Sequence, residues 1–256
     1  MVIYDLAVKA GVPFMAHYKV TGIDPPELVR FIMRQYPKVH FSRPALSMWQ
    51  LIEKKMMPPT RLVRYCCEHL KHTNDSGQTV VTGVRWAESV KRKQTRGIIE
   101  FGRSSKQRIL LNSDNDEARR MFETCHARSA SYVNPIVDWR SDEVWQYIHE
   151  NNLPYCELYD CGFKRLGCIG CPMSGRKGME FEFARYPRYR ELYLRAFDKM
   201  LAAMNAKGTR NRTWTDAESV MRWWIYGHGK TPLHVLEGQI SLFEGDWFEP
   251  SANLKD

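Results

Sequence analysis

The alternation of apolar and polar positions predicts strands and helices that follow one another along the chain. Apolar residues at helical spacing in Val2 to Ala10, followed by Gly11, predict a helix that ends at a glycine. Phe14 to Val20 has the composition of a strand, and a helix from Pro25 to Gln35 follows it. Asp24 is expected to cap that helix, with an acid three residues later completing a capping box.

Later segments extend the same alternation. Lys38 to Phe41 and Thr79 to Thr82 are predicted strands, and Met48 to Lys55 is a predicted helix. Two more helices are expected over Ser141 to His149 and over Pro187 to Ala206, the second being the longest. Strands that alternate with helices favour a parallel sheet with helices on both faces. The sequence therefore predicts an α/β fold with a helical C-terminal extension.

Composition places the chain among ordinary globular proteins. It has 256 residues, of which 43% are hydrophobic and 26% charged, so disordered and fibrous classes are excluded. No apolar run reaches the roughly 18 residues of a membrane helix, and the N-terminus lacks the pattern of a signal peptide. We expect a cytoplasmic protein with no membrane partner. Seven cysteines in such a protein are expected to be metal ligands or reactive thiols.

The charge balance favours an anionic partner. Lys and Arg number 38 against 29 Asp and Glu, a formal net charge of +9. The excess is concentrated in Arg85 to Arg96 and in the basic residues that flank the cysteine-rich segment. A nucleotide, a sulfated or phosphorylated small molecule, or a nucleic acid would fit this balance. A solvated basic face is the alternative interpretation of each stretch.

The cysteine spacing is the most specific local pattern. Cys161, Cys168 and Cys171 form a C-x6-C-x2-C run among glycines, which lets thiolates converge on one metal centre. Cys66 and Cys67 are adjacent on a predicted helix and point about 100° apart, which suits a multi-metal cube better than one tetrahedral ion. This favours a 4Fe-4S cluster over zinc or over thiols without metal. Two sets of four ligands stay open: Cys66, Cys67, Cys168 and Cys171, or Cys67, Cys161, Cys168 and Cys171.

Two loops that follow predicted strands are candidates for a ligand site. In parallel sheets, ligands bind beyond the carboxyl ends of the strands. Glycine lets a backbone approach a ligand closely, and the planar fork of Arg matches phosphate or sulfate. A turn followed by a surface helix would give the same pattern without a ligand. The candidate residues are Thr21 and Gly22 in the first loop, and Gly83, Arg85, Glu88, Ser89 and Arg92 in the second.

Taken in order, several motifs resemble the phosphoadenosine phosphosulfate (PAPS) reductase family, which includes adenosine phosphosulfate (APS) reductases. The resemblance covers roughly residues 1 to 175. It is carried by Thr21-Gly22, Arg64 to Lys71, Thr82 to Arg85 with Glu88, Ser89 and Arg92, Pro135 to Trp139, and Tyr159 to Cys171.

This resemblance implies a Rossmann-like domain over residues 1–175, similar to adenine nucleotide alpha hydrolases, and a helical extension over residues 176–256. It implies an adenine nucleotide (PAPS, APS or ATP) bound beside a 4Fe-4S cluster. In members that carry a cluster, a Cys-Cys pair and a later C-x2-C hold it, which implies Cys66, Cys67, Cys168 and Cys171 as ligands here. DNA sulfur-modification relatives have a run similar to that of Cys161, which keeps the second ligand set open.

Two features of the family are not matched in the sequence. The glycine-rich S-G-G-x-D-S phosphate loop is not found, and Val2 to Gly11 resembles the helix that follows it. We therefore expect a central strand to be supplied by another chain or covered in a homo-oligomer. The family's nucleophilic cysteine lies in a C-terminal E-C-G-x-H motif, and no cysteine follows Cys171. No catalytic residue is assigned from the sequence.

These observations predict a PAPS reductase-like protein that acts in sulfur transfer or nucleotide activation. Its chemistry would be that of an oxidoreductase, a sulfurtransferase or an ATP pyrophosphatase. The alternative is a noncatalytic basic domain, stabilised by a cluster, that binds nucleic acid or a partner chain.

Overall fold

The computed structural model describes residues 1–71, 78–101, 109–111, 131–209 and 214–227. The chain divides into two compact units. The first consists of Met1–Met48 and Arg64–Cys168, and the second of Trp49–Val63 and Ile169–Asp256. The chain passes from the first unit to the second between Cys168 and Ile169, whereas the family resemblance placed the end of the first domain at residue 175.

The first unit has an α/β architecture, which confirms the predicted fold class. Its helices include α1 (Val2–Lys9), α2 (Pro26–Gln35), α4 (Tyr65–Lys71), α5 (Val90–Thr95) and α6 (Ser141–Glu150). Of α3 (Met48–Lys55), Met48 belongs to the first unit and the other residues belong to the second. One-turn 3-10 helices occur at Trp86–Glu88 and Glu157–Tyr159. No described helix combines the length and the hydropathy needed to cross a membrane.

The strands of the first unit form two sheets. Strand β1 (His17–Lys19) pairs in parallel with β2 (His40–Ser42). The second sheet has the order β3-β6-β4-β5, in which β3 (Thr79–Val81) is parallel to β6 (Ser131–Val133). Strand β4 (Ile99–Phe101) runs antiparallel to β6 and to β5 (Ile109–Leu111).

The prediction of a parallel sheet is therefore correct for two strand pairs and wrong for the edge formed by β4 and β5. Residues 102–108 connect these two strands, and a connection this short suits antiparallel neighbours, whereas a parallel crossover needs about a dozen residues. The carboxyl ends of β3 and β6 still lie at the same edge, because these strands are parallel. That edge leads into the candidate loop at residue 83.

Helix α1 packs against α6 through a small apolar core. Val2, Ile136 and Ile148 are almost fully buried together, with relative exposures of 6%, 4% and 2%. At the rim of this contact, Lys9 donates a hydrogen bond to the Tyr147 hydroxyl at 3.0 Å. The predicted helix is thus confirmed, and its apolar residues are those that bind it to the sheet unit.

The predicted cap of α2 is wrong. Pro25 occupies the N-cap position, and no side chain accepts a hydrogen bond there. The Asp24 carboxylate instead accepts the backbone N–H of Thr21 at 2.8 Å. Asp24 therefore stabilises the loop that precedes the helix, and the helix begins with prolines, which have no backbone N–H that needs an acceptor.

The second unit contains helices packed around aromatic side chains. These helices are α7 (Gly175–Arg185), α8 (Pro187–Ala206) and α9 (Ala217–Tyr226), and a 3-10 turn at Pro172–Ser174 precedes them. Tyr193 and Phe197 on α8 are fully buried. The rings of Tyr193 and Trp224 lie 4.7 Å apart between centroids, which ties α8 to α9. The helix predicted over Pro187 to Ala206 is confirmed at both ends.

Candidate functional site

Arg85 lies in the loop between β3 and α5, directly before the 3-10 turn. Its Nη1 donates a hydrogen bond to the Ser141 hydroxyl at 3.3 Å, at the start of α6. Its backbone N–H donates to the Glu88 carboxylate at 3.2 Å. The position of Arg85 is therefore fixed at the backbone by Glu88 and at the guanidinium by Ser141.

Arg92 on α5 is affected by the charges of several other arginines. Its guanidinium forms an ion pair with Glu88, one helical turn earlier. Partial burial lowers the pKa of Arg92 below its ordinary value, and the positive charges of neighbouring arginines lower it further. We refer to these five residues as the arginine cluster: Arg64, Arg85, Arg92, Arg96 and Arg165.

The arginine cluster carries more positive charge than its bonded carboxylates balance. Glu88 pairs with Arg92, and Glu100 accepts from Arg96 Nη1 at 2.9 Å. Among the described residues, two of the five guanidinium groups form ion pairs with carboxylates, those of Arg92 and Arg96. An excess of one sign at a strand end raises the local concentration of anions. The cluster is suited to a ligand that carries several negative charges.

Two aromatic side chains, Tyr159 and Trp145, pack together, and arginines of the cluster act on Tyr159. Burial raises the pKa of the Tyr159 hydroxyl, while the positive charges of Arg85 and Arg165 act in the opposite direction. The ring of Trp145 meets the Tyr159 ring edge-on, with centroids 5.0 Å apart. Sequence analysis did not select Tyr159 or Trp145 as site residues, although Tyr159 opens the cysteine-rich motif.

The other predicted residues of this loop have structural roles. Ser89 caps α5, because its hydroxyl accepts the backbone N–H of Arg92 at 3.2 Å. Gly83 has no positive φ, and a Cβ added there would meet Ile3 and Ile136 only at ordinary contact distance. The structure thus groups Arg85, Glu88 and Arg92 together, with Ser89 positioning the helix that carries Arg92.

The first predicted loop lies in a different environment, next to a thiol. Thr21 is almost fully buried, and its hydroxyl accepts the backbone N–H of Ile23 at 3.3 Å. The same hydroxyl lies 3.7 Å from Cys168 Sγ. Gly22 has φ = +78°, a conformation that favours glycine. Thr21 and Gly22 therefore form a tight turn that contacts a predicted cluster ligand.

Lys71 connects the two cysteine motifs. Its ammonium donates a hydrogen bond to Cys168 and lies close enough to Asp24 and Cys67 to interact with both charges. Burial raises the pKa of the Cys168 thiol, and Lys71 opposes that effect. Cys67 and Cys168, about 100 residues apart in the sequence, thus both act on the charge of the same ammonium. Lys71 was not predicted as a site residue, although it lies within the motif from Arg64 to Lys71.

The remaining cysteines are not gathered in the same way. Cys66 is half-buried on α4, and Cys161 is exposed after the 3-10 turn at Glu157–Tyr159. Cys171 belongs to the second unit. Within the ranges that the structure describes, no three His, Cys, Asp or Glu side chains converge as a metal site would require. Cys125 lies outside the described residues.

The thiol site and the arginine cluster are adjacent along the chain. Arg64 precedes Cys66 by two residues, and Arg165 precedes Cys168 by three. Extended chain spans at most about 3.6 Å per residue, so these pairs are roughly 7 and 11 Å apart at most between Cα atoms.

A family model described as phosphoadenosine phosphosulfate reductase domain matches residues 1–174. This chain belongs to that family. The match confirms the resemblance found in the sequence, and it includes every member of the arginine cluster and every candidate cluster ligand. The PAPS reductase domain thus holds the whole of the predicted site.

The alignments of this chain with its relatives cover only part of the length of each relative. An uncharacterized protein of Methanocaldococcus jannaschii is 28% identical over 198 residues, which are 73% of this chain and 41% of that protein. An adenosine 5'-phosphosulfate reductase of Oceanobacillus iheyensis is 28% identical over 186 residues, 67% of this chain and 66% of that enzyme. The chain therefore spans less than two thirds of either relative.

A solved phosphoadenylyl-sulfate (PAPS) reductase of Candida auris, in complex with phosphate, aligns with 65% of this chain and 74% of its own. The aligned parts are 22% identical, with a TM-score of 0.37.

Proposed function

We propose that this PAPS reductase-family protein binds an adenine nucleotide, PAPS, APS or ATP, with its anionic end in the arginine cluster. The observation that supports the proposal is that the positive charges of four other arginines act on Arg92, in the segment that follows β3. Ligands of parallel sheets bind at such strand ends. The chemistry that follows would be sulfur transfer or activation of a substrate by the nucleotide.

In this proposal Arg85 and Arg92 hold the phosphate or sulfate oxygens through their planar forks. When no ligand is present, Glu88 forms an ion pair with Arg92. The incoming anion replaces Glu88 as the partner of Arg92. Negative charge that develops on a departing phosphate or pyrophosphate would be stabilised by the remaining guanidinium groups. Tyr159 and Trp145 would exclude water on one side.

The same proposal includes a 4Fe-4S cluster held by cysteine thiolates. The donor chemistry fits, since soft thiolates select iron–sulfur clusters, and Cys67 and Cys168 already share Lys71 as a neighbour. The described side chains do not form a closed three-donor group, so both ligand sets stay open. A bound cluster would supply sulfur or electron chemistry and tune the local potential. Lys71 would hold its proton beside Cys168 and add positive charge next to the nucleotide.

Nucleotide binding is tested by titrating PAPS, APS and ATP calorimetrically into protein purified without oxygen. We expect saturable binding of at least one nucleotide and a loss of about tenfold or more in Arg85→Ala. Arg30→Ala, at an exposed position on α2, is the matched control and should leave affinity unchanged. No binding at millimolar concentration of any of the three would contradict the proposal.

The cluster is tested separately by the absorbance, iron content and acid-labile sulfide of the same preparation. We expect about four iron and four sulfide per chain. Cys168→Ser should lower both, and Cys161→Ser should lower them only if the second ligand set is the true one. Zinc, or no metal at all, would overturn the cysteine assignment.

The arginine cluster also suits the phosphates of a nucleic acid. A noncatalytic domain that binds nucleic acid is therefore the second candidate function. Single-stranded DNA would then bind with strong salt dependence, whereas nucleotides would bind weakly. Competition distinguishes the two: nucleotide should displace the DNA if one nucleotide site is used, and should fail to do so if the protein is a nucleic-acid binder.

A further inference from the structure

Glu100 is a fully buried carboxylate in the middle of β4. Its exposure is 0%, and its neighbours Ile99 and Phe101 are also buried. A buried charge is costly unless it is paired and hydrogen-bonded. One oxygen of Glu100 accepts from Arg96 Nη1 at 2.9 Å, and the other accepts from Asn134 Nδ2 at 2.8 Å. Both oxygens therefore have partners.

Asn134 joins Glu100 to the ends of two other segments. It is also fully buried, and its second amide N–H donates to the carbonyl of Gly97 at 2.8 Å. Its carbonyl accepts the hydroxyl of Thr82, at the end of β3. Both donors and the acceptor of the amide are thus used. This arrangement fixes where the chain leaves β3 and where it returns to β4.

Arg96 connects the buried Glu100 to the proposed anion site. Its carbonyl accepts the indole N–H of Trp86 at 2.7 Å, and the backbone N–H of Trp86 donates to Val137 at 2.6 Å. Trp86 lies between Arg85 and Glu88 on the 3-10 turn. The guanidinium of Arg96 is itself a member of the arginine cluster. One residue therefore bonds to the buried carboxylate at one end and to the turn that carries Arg85 at the other.

We propose that Glu100 and Asn134 are positioning residues of the anion site, which hold Arg96 and the turn at Trp86–Glu88 in place against repulsion within the arginine cluster. The inference rests on the proposed function only for the identity of the ligand. Like charges separate unless something holds them, and Glu100 is the anchor that is buried inside the sheet. Neither residue touches the ligand.

The substitution Glu100→Gln distinguishes two roles of Glu100. A role through its charge and a role in positioning Arg96 predict opposite changes in anion binding. Removing a negative charge near an anion site should strengthen anion binding if Glu100 acts through charge alone. If Glu100 positions Arg96, the same substitution releases Arg96 and weakens anion binding. Glu150→Gln makes the same change of charge at an exposed position, at the far end of α6 from the contact between Arg85 and Ser141.

The experiment has one readout with ligand and one without. Inorganic pyrophosphate is titrated calorimetrically into the full chain, and exchange of the Trp86 indole proton with solvent is followed by NMR in the absence of ligand. For Glu100→Gln we expect pyrophosphate binding about tenfold weaker and indole exchange about tenfold faster. Glu150→Gln should change neither by more than about twofold.

A second variant protects the test against loss of folding. Arg96→Gln with Glu100→Gln replaces the ion pair by neutral amides and leaves no buried charge unpaired. We expect the same faster exchange at Trp86. Unchanged exchange in a folded variant would overturn the inference, and so would faster exchange accompanied by tighter pyrophosphate binding. If the unmodified protein binds no pyrophosphate but the indole responds, the nucleotide proposal fails while the positional link to Trp86 is supported.

Discussion

The interiors of the two units differ in the polar side chains that they bury. In the second unit, Tyr193, Phe197 and Met200 are fully buried, and Trp224 packs against Tyr193 and Phe197. The polar atoms of these rings bond to backbone: the Tyr193 hydroxyl donates to Ile169 at 3.0 Å, and the Trp224 indole donates to Pro59 at 2.6 Å. Around Tyr193 and Trp224, this interior is apolar packing in which the hydroxyl and the indole N–H have backbone acceptors.

The first unit buries polar and charged side chains in addition to apolar ones. Among the described residues, Thr21, Asp24, Glu100 and Asn134 are buried and lie in this unit. Each bonds to a loop or strand end next to the candidate site. Burial of such groups costs stability unless every partner is present. The comparison teaches that the second unit is organised for stability, whereas the first places costly groups where binding requires fixed geometry.

The largest expected effect is a packing effect in the second unit. Trp224→Ala should lower the free energy of unfolding by about 3–5 kcal/mol, because it leaves a cavity among Tyr193 and Phe197. Urea unfolding measures the change. Phe181→Ala, at a site 46% exposed, is the control and should cost below about 1 kcal/mol. Equal losses in the two variants would contradict the contrast between buried and exposed rings.

The next effect concerns binding in the first unit. Arg92→Gln should weaken pyrophosphate binding about 10- to 100-fold, roughly 1.4–2.8 kcal/mol, because it removes the guanidinium of Arg92 from the cluster. Glu88→Gln should tighten the same binding a few-fold, since it frees Arg92 from its ion pair. Calorimetry on both variants checks the pair. If both substitutions changed the affinity in the same direction, Glu88 would not compete with the ligand for Arg92.

A smaller effect is expected at the buried loop near Cys168. Asp24→Ala should lower the free energy of unfolding by about 1–2 kcal/mol, because the buried N–H of Thr21 loses its acceptor. Asp160→Ala removes an exposed carboxylate that accepts from Tyr155 and should cost far less. Thermal unfolding of both proteins decides the matter. A cost at Asp160 that matches the cost at Asp24 would remove the reason to treat this loop as organised.

The smallest effect is expected on the surface of the second unit. Arg190 Nη2 contacts both carboxylate oxygens of Glu218, at 3.0 and 2.7 Å, and both side chains are well exposed. Arg190→Gln should change the free energy of unfolding by about 1 kcal/mol or less, with a smaller change in high salt. A salt-independent loss above that value would mean that this pair contributes as a buried pair does.

Periodicity and glycine placement predicted the helices well. Gly11 follows α1 at φ = +66°, and α3 begins and ends at the predicted residues Met48 and Lys55. The pairing direction of β4 and β5 was not predictable from alternation, because strands of three residues are too short to show whether apolar positions alternate. The role of Asp24 was also missed, since a short acid before a helix can bond to either side of its own loop.

The candidate site was predicted in part. Arg85, Glu88 and Arg92 converge because the strand end and one helical turn place them together. Lys71 and Arg64 flank the cysteine pair in the sequence, but no spacing rule marks a lysine as a neighbour of a thiol about 100 residues away. Glu100 gave no signal, because Glu between two apolar residues predicts an exposed strand position and the structure buries it.

The central claim is that the arginine cluster receives the anionic end of a nucleotide. A crystal structure of the protein with APS tests it most directly. We predict phosphate or sulfate oxygens about 3 Å from the guanidinium groups of Arg85 and Arg92, with Glu88 displaced from Arg92. A nucleotide bound with its anionic end elsewhere, and an intact ion pair between Glu88 and Arg92, would contradict the account.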